Sequence, residues 1–88
     1  MTREARAALV CEKYKKLAPK FVHPEALNYT SPKFYKNKVL TIGVENSAWA
    51  SQVMAKQIEL ISEINKSLGQ KLVEKIQTRT GETLSSPT

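Results

Sequence analysis

Aliphatic residues occupy every second position in the middle of the chain, between Leu40 and Glu45. An extended backbone places every second side chain on the same side. The aliphatic side chains that share one side are Leu40, Ile42 and Val44. This alternation predicts a β-strand with one face in the core of the protein.

From Asn46 to Gly69 the apolar residues recur at helical spacing and predict one long amphipathic helix. Asn46 or Ser47 is suited to cap its first turn, because either side-chain oxygen accepts a hydrogen bond from an unpaired backbone amide. Gly69 is suited to end it, because glycine tolerates a left-handed backbone. The apolar arc covers about half of the helix circumference. The long helix is therefore expected to pack against both the sheet and a second helix.

Gln57 lies in the middle of this apolar arc. A buried amide without a hydrogen-bond partner costs about 1–3 kcal/mol. Either Gln57 finds a polar partner, or the arc consists of two contact faces with Gln57 at the seam. The residues alone leave both alternatives open.

A narrower apolar stripe near the N-terminus predicts an amphipathic first helix, capped by Thr2, as the second partner of the long helix. The stripe consists of Ala7, Val10, Cys11, Tyr14, Leu17 and Ala18. Pro19 and Pro24 are expected to interrupt this pattern, because proline inside a helix removes a hydrogen bond and clashes with the preceding turn. A short helix or a kinked continuation is expected from Pro24 to Thr30.

The residues around the central strand predict its two neighbours. Lys33-Phe34-Tyr35 is expected to form a short strand that turns through Lys36-Asn37-Lys38 into the central strand. Phe34 and Tyr35 fall on opposite sides of that strand, so one is expected in the core and the other outside. The segment from Lys71 to Arg79 predicts a third strand with Ile76 pointing inward.

These elements predict an α+β fold in the order helix, short helix, strand, strand, long helix, strand, with a three-stranded sheet and helices on one face. The 88 residues are enough for one small domain, expected over residues 1–80, with a flexible tail over residues 81–88. The other face of the sheet is expected to be open to solvent.

Charge and motifs narrow the functional classes. Fourteen Lys and Arg against eight Asp and Glu give a net charge of +6, as in many nucleic-acid-binding proteins. The sequence has no glycine-rich phosphate loop and no nucleophile with a base at usable spacing, so no enzyme, cofactor or small-molecule substrate is expected. One histidine, His23, and one cysteine, Cys11, predict neither a metal site nor an internal disulfide. The absence of a signal peptide or a long apolar run predicts a cytoplasmic protein without a membrane partner.

The run from Val39 to Val53, with Leu60-Ile61 and Ile64 to Gly69, resembles the DciA family of bacterial replicative-helicase loaders. Thr30 and Pro32 also resemble the Thr-x-Pro entry to the hairpin of that family. The likeness covers about Pro24 to Gly81. It implies a KH-like fold, binding to DNA, and contact with a DnaB-type helicase.

Two sets of residues are therefore candidates for binding. The expected DNA-binding residues are Lys33, Tyr35, Lys36, Lys38, Lys71, Lys75 and Arg79, with Phe34 as an alternative to Tyr35 for base stacking. The same cations could instead form an ordinary solvated surface. Trp49 is either a core anchor or, as the resemblance implies, part of the helicase contact.

The function expected from these observations is that of a DNA-binding adaptor for the replicative helicase. The alternative is a basic RNA- or ribosome-associated module without a helicase role. The Gly-x-x-Gly loop with which KH modules clamp RNA is absent from the sequence. Binding of RNA in that manner is therefore not expected.

Overall fold

The computed structural model describes residues 3–80 and confirms the predicted α+β fold. The elements are α1 (Arg3–Phe21), α2 (Ala26–Tyr29), β1 (Thr30–Lys36), β2 (Val39–Val44), α3 (Ser47–Ala55), α4 (Gln57–Leu68) and β3 (Lys75–Thr80). The predicted cap at Thr2 and the predicted tail at residues 81–88 lie outside the described residues. Within those residues, no helix is both long and apolar enough to cross a membrane.

The three strands form one mixed sheet in the order β1-β2-β3. Strands β1 and β2 are antiparallel and form the predicted hairpin, whereas β2 and β3 are parallel. Asn37 and Lys38 make the turn of the hairpin with φ angles of 51° and 65°. Positive φ at both central residues is the geometry that matches the twist of a two-residue hairpin.

The core lies between the sheet and the helices. Leu40, Ile42 and Val44 are completely buried, as their alternation predicts. The predicted stripe of α1 faces them through Val10, Tyr14 and Ala18. The remaining core residues come from the other elements: Ala26, Val53, Leu60, Ile64, Leu72, Val73 and Ile76.

The prediction of one continuous long helix is wrong, because the chain forms α3 and α4 with a break at Lys56. The Lys56 amide donates to the Val53 carbonyl at 3.1 Å, which tightens the last turn of α3. Helix α3 packs against β2 and β3, whereas α4 packs mainly against α1. The wide apolar arc is thus divided between two helices, and Ile58, which a single helix would bury, is 77% exposed.

Gln57 is the first residue of α4 and is half-buried. It therefore lies beside the break, as the alternative with two contact faces requires. No buried side-chain nitrogen or oxygen among the described residues lacks a hydrogen-bond partner.

The expected interruption at Pro19 is also wrong, because α1 continues through Pro19 to Phe21. Pro19 lies in the last turns of the helix, where its missing amide removes one hydrogen bond and little helix remains to be disturbed. The amides of Val22 and His23 both donate to the Ala18 carbonyl, at 2.9 and 3.2 Å. These bonds end α1 before the short helix α2.

Strand β3 begins at Lys75 rather than at Lys71, so the predicted alternation is wrong for residues 71–74. The Asn65 side chain holds this segment by three hydrogen bonds: its oxygen accepts from the amides of Leu72 and Val73 at 3.0 and 2.9 Å, and its nitrogen donates to the Val73 carbonyl at 2.9 Å. Leu72 and Val73 are consecutive and both buried, which a strand with one covered face does not allow.

Candidate nucleic-acid interface

Strand pairing determines which predicted binding residues share the sheet face opposite to the helices. Phe34 is paired with Thr41, and Thr41 with Gln77. Directly paired residues point to the same side of a sheet, and so does every second residue along each strand. We call this side the outer sheet face; its long side chains belong to Lys33, Phe34, Lys36, Lys75, Gln77 and Arg79.

A bulge in β1 places Lys33 on the outer sheet face beside Phe34, because the register shifts between Pro32 and Phe34. The Lys33 chain crosses Gly43 so closely that a Cβ atom there would lie 2.5 Å from its Cε. On the next strand, the Gln77 side-chain amide donates to the Thr41 hydroxyl at 3.0 Å. Side chains of the flanking strands therefore cover the middle of β2, although no described helix packs on this face.

The two aromatic candidates of β1 are separated by the sheet. Tyr35 is paired with Leu40, packs against the core, and donates its hydroxyl proton to the Leu72 carbonyl. Phe34 lies on the outer sheet face and is 43% exposed. Of the two alternatives for base stacking on this face, the structure therefore favours Phe34. The hairpin register shows which of the two lies on this face, which β-strand alternation alone left open.

Lys38 and Lys71 lie outside the strands. Lys38 is in the hairpin turn, where its Nζ lies 3.4 Å from the Glu74 Oε2 and both side chains are more than half exposed. Lys71 is exposed in the segment held by Asn65. The structure therefore places Lys33, Lys36, Lys75 and Arg79 together on the outer sheet face, without Lys71 as a strand neighbour.

Trp49 belongs to an aromatic patch on the helical side of the molecule, which we define as His23, Tyr29 and Trp49. Asn46 is the N-cap of α3, and its side-chain oxygen accepts the Trp49 amide at 3.1 Å. The indole stacks on Tyr29 with ring centroids 4.9 Å apart and meets the edge of His23 at 5.6 Å. Trp49 is half-buried, so it serves the core and still presents part of its ring to solvent.

The surroundings of Cys11 and of the possible metal-ligating side chains that the structure describes do not favour a reactive or metal-binding site. Cys11 is half-buried, and burial raises the pKa of its thiol, although the Lys15 charge lowers it. A raised pKa disfavours the reactive thiolate. Among the described residues, no group of three or more His, Cys, Asp or Glu side chains is arranged to hold a metal ion.

Comparison with known families identifies the family of the chain. The sequence profile described as "Dna[CI] antecedent, DciA" matches residues 5–78, which include most of α1, all of the elements from α2 to α4, and most of β3. The chain belongs to the DciA family. Membership of the DciA family implies the role of a loader for a DnaB-type helicase, which is an adaptor role and not a catalytic one. None of the curated proteins gives a significant sequence match to the chain.

Three of the residues that carry the resemblance to the DciA family have clear structural roles in this member. Thr30 is buried and its hydroxyl donates to the Ala26 carbonyl at 2.8 Å. Asn65 holds the segment before β3, and Gly69 ends α4 with a φ of 71°. Trp49 is half-buried and packs both on the core and on the ring of Tyr29.

Proposed function

We propose that this member of the DciA family is a DNA-binding adaptor that assists the loading or activation of a DnaB-type replicative helicase. The proposal rests chiefly on the outer sheet face, where cations and an exposed phenylalanine lie on one side of a three-stranded sheet. The DNA expected there is single-stranded or tailed and is bound with little dependence on sequence.

The charge of the outer sheet face suits a phosphate backbone. Lys33, Lys36, Lys75 and Arg79 lie on it, and none of the residues in β1, β2 or β3 is acidic. Each phosphate contact with a single strand contributes about −0.7 to the slope of log K against log salt concentration. Four such contacts would give a slope of about −3.

Phe34 adds an attraction that does not depend on charge. Stacking of a base on an aromatic side chain contributes about 1–3 kcal/mol and tolerates any base. The position of Phe34 among lysines therefore supports binding of unpaired bases, since a duplex does not present their faces.

The helicase contact is assigned to the aromatic patch. Its residues come from the loop between α1 and α2, from α2 and from α3, whereas the outer sheet face consists of strand residues. Tryptophan and tyrosine are enriched at the centres of protein interfaces. Separate surfaces would allow one domain to hold DNA and helicase at once.

A binding experiment with the cognate hexameric helicase tests the adaptor role. We expect the full chain to bind the helicase, and Trp49→Leu to weaken this binding at least ten-fold while circular dichroism shows a folded protein. Ile58→Ala removes an exposed apolar side chain elsewhere and is the matched control. Failure of the wild-type chain to bind the helicase would favour the basic RNA- or ribosome-associated module instead.

A further inference from the structure

A pocket of about 260 Å³ opens at the hairpin end of the sheet, on the side of α1. It is lined by Arg6, Tyr35, Lys36, Asn37, Lys38 and Leu72. We propose that this pocket binds a terminal phosphate group, that is, a phosphate monoester or inorganic phosphate. The proposal does not require DNA binding on the outer sheet face.

The charge of the lining selects an anion. Arg6 and Lys38 are cationic, and the described lining contains no carboxylate. Asn37 adds a side-chain amide that can donate hydrogen bonds. Arginine provides a planar set of donors that matches phosphate oxygens, and lysine provides a compact charge.

The walls of the pocket are held in place before any ligand binds. The Tyr35 hydroxyl donates to the Leu72 carbonyl and ties β1 to the segment before β3. The amides of Glu74 and Lys75 donate to the Lys38 carbonyl at 2.8 and 3.3 Å. Lys38 has a left-handed backbone, which glycine would adopt without strain. A lysine at such a position suggests that its side chain has a function.

Size and charge favour a terminal phosphate over a phosphodiester. The pocket is smaller than the roughly 300–1,000 Å³ of sites for drug-sized ligands, so it suits a small group. A phosphate monoester carries about −1.5 to −2 charges near pH 7, and Arg6 and Lys38 bring cations to the pocket from α1 and from the hairpin turn. A helix bounds it on one side and the hairpin on the other, which suits a chain end better than a continuous strand.

Glu74 is expected to weaken phosphate binding, because it forms an ion pair with Lys38. Its carboxylate lies 3.4 Å from the Lys38 Nζ in a largely exposed ion pair. Exposed pairs of this kind contribute little to stability, so a phosphate can compete for Lys38. Removal of the Glu74 charge should therefore strengthen phosphate binding.

Titration of the full chain with inorganic phosphate, followed by amide NMR at constant ionic strength, tests the pocket. We expect saturable shifts of the Asn37 and Lys38 amides. Arg6→Gln and Lys38→Gln should each weaken phosphate binding at least five-fold, and Glu74→Gln should strengthen it. Lys16→Gln, an equal charge change about 15 Å further along the same helix, should leave it unchanged.

Shifts that never saturate, or an equal loss in Lys16→Gln and Arg6→Gln, would overturn the proposal. Oligonucleotides with a 5′-phosphate or a 5′-hydroxyl then identify the source of the phosphate. A preference for the 5′-phosphate that Arg6→Gln abolishes assigns the pocket to a nucleic-acid end, and equal affinity with intact phosphate binding assigns it to a small phosphate compound. Variants of Lys75 and Arg79 should not affect phosphate binding, so the two proposals fail separately.

Discussion

At the scale of single residues, the Thr30 hydroxyl connects three elements. It donates to the Ala26 carbonyl at 2.8 Å in α2, so the Tyr14 hydroxyl of α1, also 2.8 Å away, must donate to it. Both residues are buried, and β1 begins at Thr30. The first residue of the Thr-x-Pro motif thus links α1 and α2 to the sheet.

Replacement of Thr30 by valine should cost more stability than replacement of Tyr14 by phenylalanine. Thr30→Val preserves the shape but leaves the Tyr14 hydroxyl buried without an acceptor, a loss of about 1–3 kcal/mol. Tyr14→Phe leaves Thr30 paired with Ala26. The free energies of unfolding from urea denaturation compare the two variants. A greater loss in Tyr14→Phe would contradict the assigned direction of the bonds.

Tyr14 also predicts a loss of stability in alkali. Burial raises the pKa of its phenol from 10.0 to about 12. The folded chain keeps the proton that the unfolded chain releases, so this contribution is complete below pH 10 and falls as the pH rises toward 12. The loss approaches about 2–3 kcal/mol. Urea denaturation at several pH values should show the decline in the wild-type chain, and Tyr14→Phe should lack this part of it.

At the scale of elements, the sequence correctly predicted those features that depend on residues close together in the chain. Strand β2 follows from strict alternation, and the ends of α3 and α4 follow from the cap at Asn46 and the left-handed Gly69. The break at Lys56 was not predicted, because it arises where α3 and α4 pack on different partners. The late start of β3 was not predicted either, because the segment before it is held by the side-chain amide of Asn65 in α4.

The break predicts that substitutions of two apolar residues of α4 change the stability of the protein to very different extents. Ile58→Gln should change the free energy of unfolding by less than about 0.5 kcal/mol, because its side chain is 77% exposed. Leu60→Ala should cost about 2–5 kcal/mol, because that side chain is completely buried. Chemical denaturation of both variants checks this. A large loss in Ile58→Gln would indicate the continuous helix instead.

At the scale of the whole molecule, the sequence predicted part of the geometry of the proposed binding surface and missed the rest. Alternation in β3 predicted that Lys75 and Arg79 lie together on the outer sheet face, and the structure places them there. The choice of Phe34 over Tyr35 needed the hairpin register. The phosphate pocket joins Arg6 of α1 to the hairpin, and no local pattern connects residues so distant in the sequence.

The central claim is that the outer sheet face binds single-stranded DNA. Fluorescence anisotropy with a labelled single strand at several salt concentrations tests it by comparing two variants of equal net charge. One is Lys75→Gln with Arg79→Gln, on the outer sheet face. The other is Lys15→Gln with Lys16→Gln, at exposed positions of α1.

We expect the β3 variant to bind at least ten-fold more weakly at low salt, with a salt slope shallower by about 1.4 because two phosphate contacts are lost. The α1 variant should bind almost as the wild-type chain does. Equal weakening of the two variants, or an unchanged salt slope in the β3 variant, would contradict the claim.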